Sequence, residues 1–240
     1  MRNREPDRGA PTATPLNVSY RIGRISHYLS GHWLDFGCAD GGYVEELLAR
    51  GLRAVSGVDV EDDRIHKARL RNLPNAEFSS FDGVTLPFGD ELFDGAFLNE
   101  VLEHVADEKG ALSEVRRVLK PGARLVVISP NRWFPVEGHN VAIGSGTICP
   151  APLVPWLPER LTHNRMAARN YWPRELERIV REAGFAIEET SFIWPVLETY
   201  PWLPPRGVAW YQRNFRRWDH VPGLRRFGVS TLVVGVKPAA

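Results

Sequence analysis

The chain has 240 residues, 43% hydrophobic and 25% charged, with 30 Lys and Arg against 29 Asp and Glu. That balance belongs to a globular chain with enough apolar side chains for a real core, and it excludes wholesale disorder, collagen and a continuous coiled coil. The formal charge of +1 offers no global field to nucleic acid; two cysteines, Cys38 and Cys149, make no disulfide framework, and nothing has the four-ligand spacing of a structural zinc site. No metal and a cytoplasmic setting are therefore expected.

Residues 1–16 are rich in charge, Pro, Thr and Ala and read as a flexible lead, with one domain expected over 17–240. No run approaches the roughly 20 apolar residues that span a bilayer. Val18, Ile22, Ile25 and Leu29 recur at helical spacing up to Gly31. The period then changes: 32–36 reads as a strand, Gly37-Cys38-Ala39-Asp40-Gly41-Gly42 as a glycine-rich turn, and 43–50 as a helix stopped by Gly51. A strand at 54–60, a helix at 62–70 and a strand at 76–79 follow. Strands at 93–98 and 124–129 flank a helix at 106–119, which Lys120-Pro121-Gly122 should end. Alternation at this spacing predicts parallel, right-handed βαβ units in an α/β, doubly wound sheet with helices on both faces. After Pro130 it lapses for some 40 residues rich in Pro, Trp, Gly and Asn, a segment long enough to be a lid over a ligand. A helix entered through Trp172-Pro173 runs to Gly184, and strands at 186–192 and 229–236 bring the expected sheet to seven strands. Between those strands, 194–226 forms an irregular insert carrying Trp194, Trp202, Trp210 and Trp218.

In open α/β sheets ligands bind where the strand order reverses, at the carboxyl ends of the strands. Gly37 and Gly41 let the backbone turn sharply and approach a ligand, and Asp35 precedes them. Asp59, 22 residues after Gly37, ends the second strand, where a carboxylate accepts hydrogen bonds from both ribose hydroxyls and has little structural reason to be. Asp82 after the third strand is placed for the exocyclic amine of an adenine. Three carboxylates at successive strand ends offer no positive charge to a phosphate. A pyrophosphate cradle also needs a glycine where this chain has Ala39.

With the segments Gly57-Val58-Asp59, Leu86-Pro87-Phe88, Phe93-Asp94, Val101-Leu102-Glu103-His104-Val105 and Arg117-Val118-Leu119-Lys120-Pro121-Gly122-Ala123, the run Leu34-Asp35-Phe36-Gly37-Cys38-Ala39-Asp40-Gly41 resembles the class I S-adenosylmethionine (SAM)-dependent methyltransferases, type 11 branch. The resemblance implies a Rossmann-like fold with SAM as cofactor. It also implies that Asp35 and the Gly37 backbone hold the methionine end, Asp59 the ribose, and Asp82 with Gly83 the adenine, with Asn99 beside the cofactor. Ala39, where the family has glycine, departs from the pattern. A nicotinamide-dependent oxidoreductase and a non-catalytic subunit of the same fold are the competing readings.

Transfer to an alcohol needs a base, and His139, in the segment after the fifth strand, is the candidate, with His163 second. Glu103 and His104, taken as helical neighbours pointing about 100° apart, are read as structural rather than as an acid–base pair. Cys38 is a small apolar filler. Family members with a Pro-Asn-Arg segment here act on hydroxyls, which makes a small molecule, sugar or glycolipid the expected acceptor, with a carbon or nitrogen atom of a secondary metabolite as the alternative. No nucleic-acid partner is expected. Residues 201–226 carry Arg206, Arg213, Arg216, Arg217, Arg225 and Arg226 against one acid, Asp219. Plain packing, a phosphate or acidic glycan, and peripheral membrane contact are the readings of that stretch. The oligomeric state is not legible.

Overall fold

The computed structural model describes residues 14–143, 146–162, 165–197, 204–215, 217, 221 and 223–239, save the side chain of Glu159. His163, Trp202, Arg216, Trp218, Asp219 and the lead up to residue 13 lie outside the described residues. In chain order the elements are α1 (Pro15–Ile25), β1 (His32–Phe36), α2 (Gly42–Ala49), β2 (Ala54–Asp59), α3 (Asp62–Leu70), β3 (Ala76–Ser80), β4 (Phe93–Asn99), α4 (Glu108–Val118) and β5 (Leu119–Pro130). There follow β6 (Val136–Glu137), β7 (Val141–Ile143), β8 (Gly146–Ile148), β9 (Ala151–Pro152), α5 (Glu159–Thr162), α6 (Pro173–Glu182), β10 (Ala186–Ile193), α7 (Pro205–Asn214) and β11 (Ser230–Val236).

Seven strands form one sheet in the order β10-β11-β5-β4-β1-β2-β3, parallel except for β11, which runs against both its neighbours. From β1 the chain winds outward through β2 and β3, then returns to β4 and β5 on the other side. The reversal therefore falls between β1 and β4, and the loops leaving these strands face each other across it.

Both faces of the sheet are covered, which is why its strands read as nearly continuous apolar runs. Successive residues take opposite sides: Trp33, Phe97 and Val126 pack with Ile22 and Ile25 of α1 and Val44 and Leu47 of α2. Their neighbours Leu34, Leu98 and Val127 pack with Leu112 and Val115 of α4 and Leu176 and Val180 of α6. Each such side chain, fully enclosed, stabilises the fold by roughly 1.5–3 kcal/mol. The first helix begins where Thr14 accepts the Asn17 N–H and Pro15 occupies the first turn, and ends earlier than its periodicity indicates, in a short 3-10 turn over Ser26–Tyr28.

Three stretches differ from expectation. Lys120-Pro121-Gly122 does end the helix, but as part of the 12-residue strand β5, whose pairing with β4 shifts register between Phe93 and Gly95. The lid segment is not structureless: β6 pairs with β9, β7 with β8, and the Asn131–Tyr171 bridge closes it at its base. The insert after β10 holds α7, fastened by Tyr211 and Gln212 donating to the carbonyls of Pro195 and Val196 and by the buried ring of Phe215. Of the insert's described tryptophans, Trp194 is buried and Trp210 is 55% exposed.

Candidate active site

The turn after β1 is stitched to the end of β2. The N–H groups of Gly37 and Cys38 both donate to the Val58 carbonyl, at 2.8 and 2.9 Å. Gly37 has φ +80°, and a Cβ there would lie 2.4 Å from Cγ2 of Val101, so glycine is required both for its backbone conformation and for the close approach of the loop after β4. Ala39 also sits in the left-handed region, at φ +47°, which accounts for the family's preference for glycine at this place. What holds it there is Asp59: one carboxylate oxygen accepts the Ala39 N–H at 3.0 Å and the other accepts the Glu61 N–H at 3.0 Å. The expectation that a carboxylate ending β2 lacks a structural reason is thus corrected, because Asp59 clamps the glycine-rich turn to the second strand. Each of its oxygens keeps a further lone pair for a ligand hydroxyl.

Asp35 is 3% exposed, and its Oδ2 has no hydrogen-bond partner among the described residues. Burial, and after it the neighbouring Asp59, push its pKa up to about 8. A buried carboxylate facing a second carboxylate, without a cation of its own, is a place that favours a positively charged ligand. Burial and the same two aspartates raise the Cys38 thiol far above its ordinary range, so it is inert packing, as its apolar setting predicts.

A family model of type 11, described as a methyltransferase domain, matches residues 34–127. The crystal structure of a SAM-dependent methyltransferase from Mesorhizobium loti superposes with a TM-score of 0.62 at 17% identity, covering 91% of this chain and 97% of that one, and so shows the fold. O-methyltransferase cnsE of Penicillium expansum is 29% identical over 175 residues, 71% of this chain and 57% of its own, so the chain spans little more than half the length of that relative. An uncharacterized methyltransferase of Mycobacterium leprae is 30% identical over 217 residues, 85% of this chain and 71% of its own. The chain belongs to the class I SAM-dependent methyltransferases, type 11 branch. The oxidoreductase alternative falls with that assignment.

The remaining expected cofactor residues of this methyltransferase are less simply disposed. Asp82 is fully exposed on the turn after β3, where Oδ1 accepts the N–H groups of Val84 and Thr85 at 2.8 Å; those bonds hold its carboxyl below the usual range. Gly83 follows at φ +80°. Any ligand contact from Asp82 therefore uses its other oxygen. Asn99 ends β4, but its Oδ1 accepts from Nη1 of Arg21 at 2.7 Å. That nitrogen also donates to Glu100 Oε1 at 2.7 Å, and Arg21 Nη2 donates to Ser230 Oγ at 3.0 Å. Burial opposes the charge on Glu100, yet Arg21 and Ser230 hold its carboxyl below the ordinary value. Sequence reasoning missed this buried ion pair, since its members lie 79 residues apart with no shared motif.

On the other side of the reversal, His139 is oriented by Glu137: Oε1 accepts both the His139 backbone N–H and its Nδ1–H, each at 2.8 Å. The Glu137 carboxylate is buried and also accepts from the Asn170 side-chain amide. The signal for this partner was present in the sequence, a carboxylate two residues before a loop histidine. The reading of Glu103 and His104 as divergent helical neighbours is overturned. They lie on a 3-10 turn, Leu102–His104, and one ligand-capable atom of each falls within 4.8 Å of the other and of His139. Glu103 is fully buried; burial and then the charge of Glu100 raise its carboxyl well above the ordinary range.

Proposed function

We propose that this chain moves the methyl group of SAM to a hydroxyl oxygen of a small molecule, sugar or glycolipid. The single observation that carries the reading is the Glu137–His139 pair. It is an imidazole held by a buried carboxylate in the tautomer that leaves Nε2 basic, on the segment that leaves the carboxyl end of β5. The name of the Penicillium relative, an O-methyltransferase, points the same way.

SAM supplies an electrophilic methyl on a sulfonium, and its leaving group departs as a neutral thioether. The residues of the chain have three tasks. Asp35 and the Gly37 backbone bind the methionine end and Asp59 the ribose, fixing the donor along the carboxyl edge of β1 and β2. The lid between β5 and α6 excludes water and aligns the acceptor, which supplies most of the rate of an in-line displacement. His139 takes up the hydroxyl proton. Trp133, Trp172 and Phe227 gather where the lid meets α6 and the insert, with Trp133 edge-on to the other two at 5.2 and 6.0 Å, a setting suited to the apolar face of a sugar or an aromatic ring.

The test is a screen of lipid, glycan and small-molecule pools with SAM labelled in its methyl group, followed by His139→Ala on the acceptor found. The expected product carries an O-methyl group, and the variant loses about 10²–10⁴ in turnover while binding SAM as before. A methyl found on carbon or nitrogen overturns the hydroxyl reading; unchanged turnover removes His139.

A further inference from the structure

Glu103, His104 and His139 come from two different loops, those after β4 and β5, and meet on the acceptor side. Their ligand-capable atoms all lie within 4.8 Å of one another. Three features separate this group from a chance gathering of polar side chains. Glu103 is 0% exposed: Oε2 accepts from Ser129 Oγ at 3.1 Å, while Oε1 has no hydrogen-bond partner among the described residues. A fully buried carboxyl oxygen close to a second buried carboxylate, one already committed to Arg21, needs either a proton or a cation to meet it. Next, the Glu137 carboxylate that accepts the Nδ1–H of His139 is the outer partner that metal-binding histidines characteristically have, fixing the ring and raising its basicity. Finally, burial is graded: Glu103 is enclosed, the His139 side chain is 16% exposed and His104 is exposed. The group is closed on the protein side and open on the other.

We infer that Glu103, His104 and His139 bind one divalent first-row metal ion, and that its open positions take an acceptor bearing two adjacent oxygens, a vicinal diol, a catechol or a hydroxyl next to a carbonyl. Two imidazoles and one carboxylate favour zinc, cobalt, manganese or iron over magnesium, which prefers oxygen donors. Bonds of about 2.0–2.2 Å require the three atoms to draw together by roughly an ångström, within the reach of side-chain rotation in an exposed His104. Three protein ligands leave room for a bidentate substrate, as in catalytic rather than structural sites.

The inference rests on the hydroxyl reading but replaces the part of His139 in it, since Nε2 bound to a cation takes up no proton. The cation lowers the pKa of the bound hydroxyl, and the proton passes to water on the open side at His104. The freed oxygen pair forms the new C–O bond while the pair of the breaking C–S bond stays on sulfur. The metal keeps its charge and no oxidant is consumed.

The experiment uses the full, untagged chain stripped with a chelator, titrated calorimetrically with Co²⁺, Zn²⁺, Mn²⁺ and Mg²⁺, and followed by the visible spectrum of Co²⁺. One equivalent is expected to bind, with Mg²⁺ weaker. Glu103→Gln and the surface variant His104→Ala should each lose about tenfold or more in metal affinity while SAM affinity and folding are retained. With a catechol acceptor, methyl transfer should stop in the stripped protein and return on adding metal. No saturable binding, or binding unaltered by both variants, overturns the site. Full turnover by the stripped protein overturns it while leaving the hydroxyl reading in place. Metal binding at these residues with methyl transfer only to carbon or nitrogen supports the site and sinks the hydroxyl reading.

Discussion

At residue scale, Asp35 makes donor binding a proton-linked event. Its folded pKa of about 8 lies above the ordinary 3.8, so between roughly pH 4 and 8 the folded apo-protein holds a proton that the unfolded chain has already released. Stability must then fall as pH rises through that window, by at most about 1.4 kcal/mol per unit, and Asp35→Asn should flatten the slope in urea titrations. A cationic ligand reverses the preference and expels the proton. SAM affinity is therefore expected to strengthen from about pH 6 to pH 8, with proton release visible as a buffer-dependent heat in calorimetry; an affinity flat over that range contradicts the assignment. Gly37→Ala meets Val101 and a φ of +80° together, and should cost about 1–3 kcal/mol in stability as well as donor affinity.

At the scale of elements, α1 is tied to the loop after β4 by one buried arginine. Arg21 is 2% exposed and reaches Asn99, Glu100 and Ser230, so it joins the first helix, the end of the fourth strand and the last strand. Arg21→Met keeps most of the volume but strands Glu100, and is expected to lower the unfolding free energy by about 3–5 kcal/mol; Arg21→Lys should recover only part, lacking the planar fork. Chemical denaturation followed by circular dichroism reads both. Such a link could not be found by scanning for periodicity. The strands and helices around β1 to β5 were legible because a sheet buried on both faces imposes unbroken apolar runs, and Asp35, Gly37 and Asp59 because a ligand-binding turn has fixed spacing. Two things escaped. The meeting of Glu103, His104 and His139 joins the loops after β4 and β5, which no local spacing links, and the left-handed Ala39 is held by a carboxylate 20 residues away.

For the molecule as a whole, no helix among the described residues is long and apolar enough to cross a membrane. The outer side of α7 and its continuation nevertheless present Arg206, Trp210, Arg213 and Arg217, all exposed and spaced for one helical face. That stripe predicts salt-sensitive co-sedimentation with vesicles containing anionic lipid, each arginine near the surface adding about 1 kcal/mol, and its loss in the triple variant Arg206→Glu, Arg213→Glu, Arg217→Glu. Retention of binding in that variant would assign the stripe to plain solvation. Asn131, finally, sits where both irregular segments leave the sheet: its N–H donates to Val229, its side-chain amide to Arg226 and Gly228, and it bridges to Tyr171. One residue thus serves as a common post for the segment after β5 and the end of the insert before β11. Exchanging residues 131–171 and 194–229 as a cassette between relatives, with Asn131 kept, should graft a new acceptor preference onto an unaltered donor half, and evolution could have diversified the catalogue of products by the same swap.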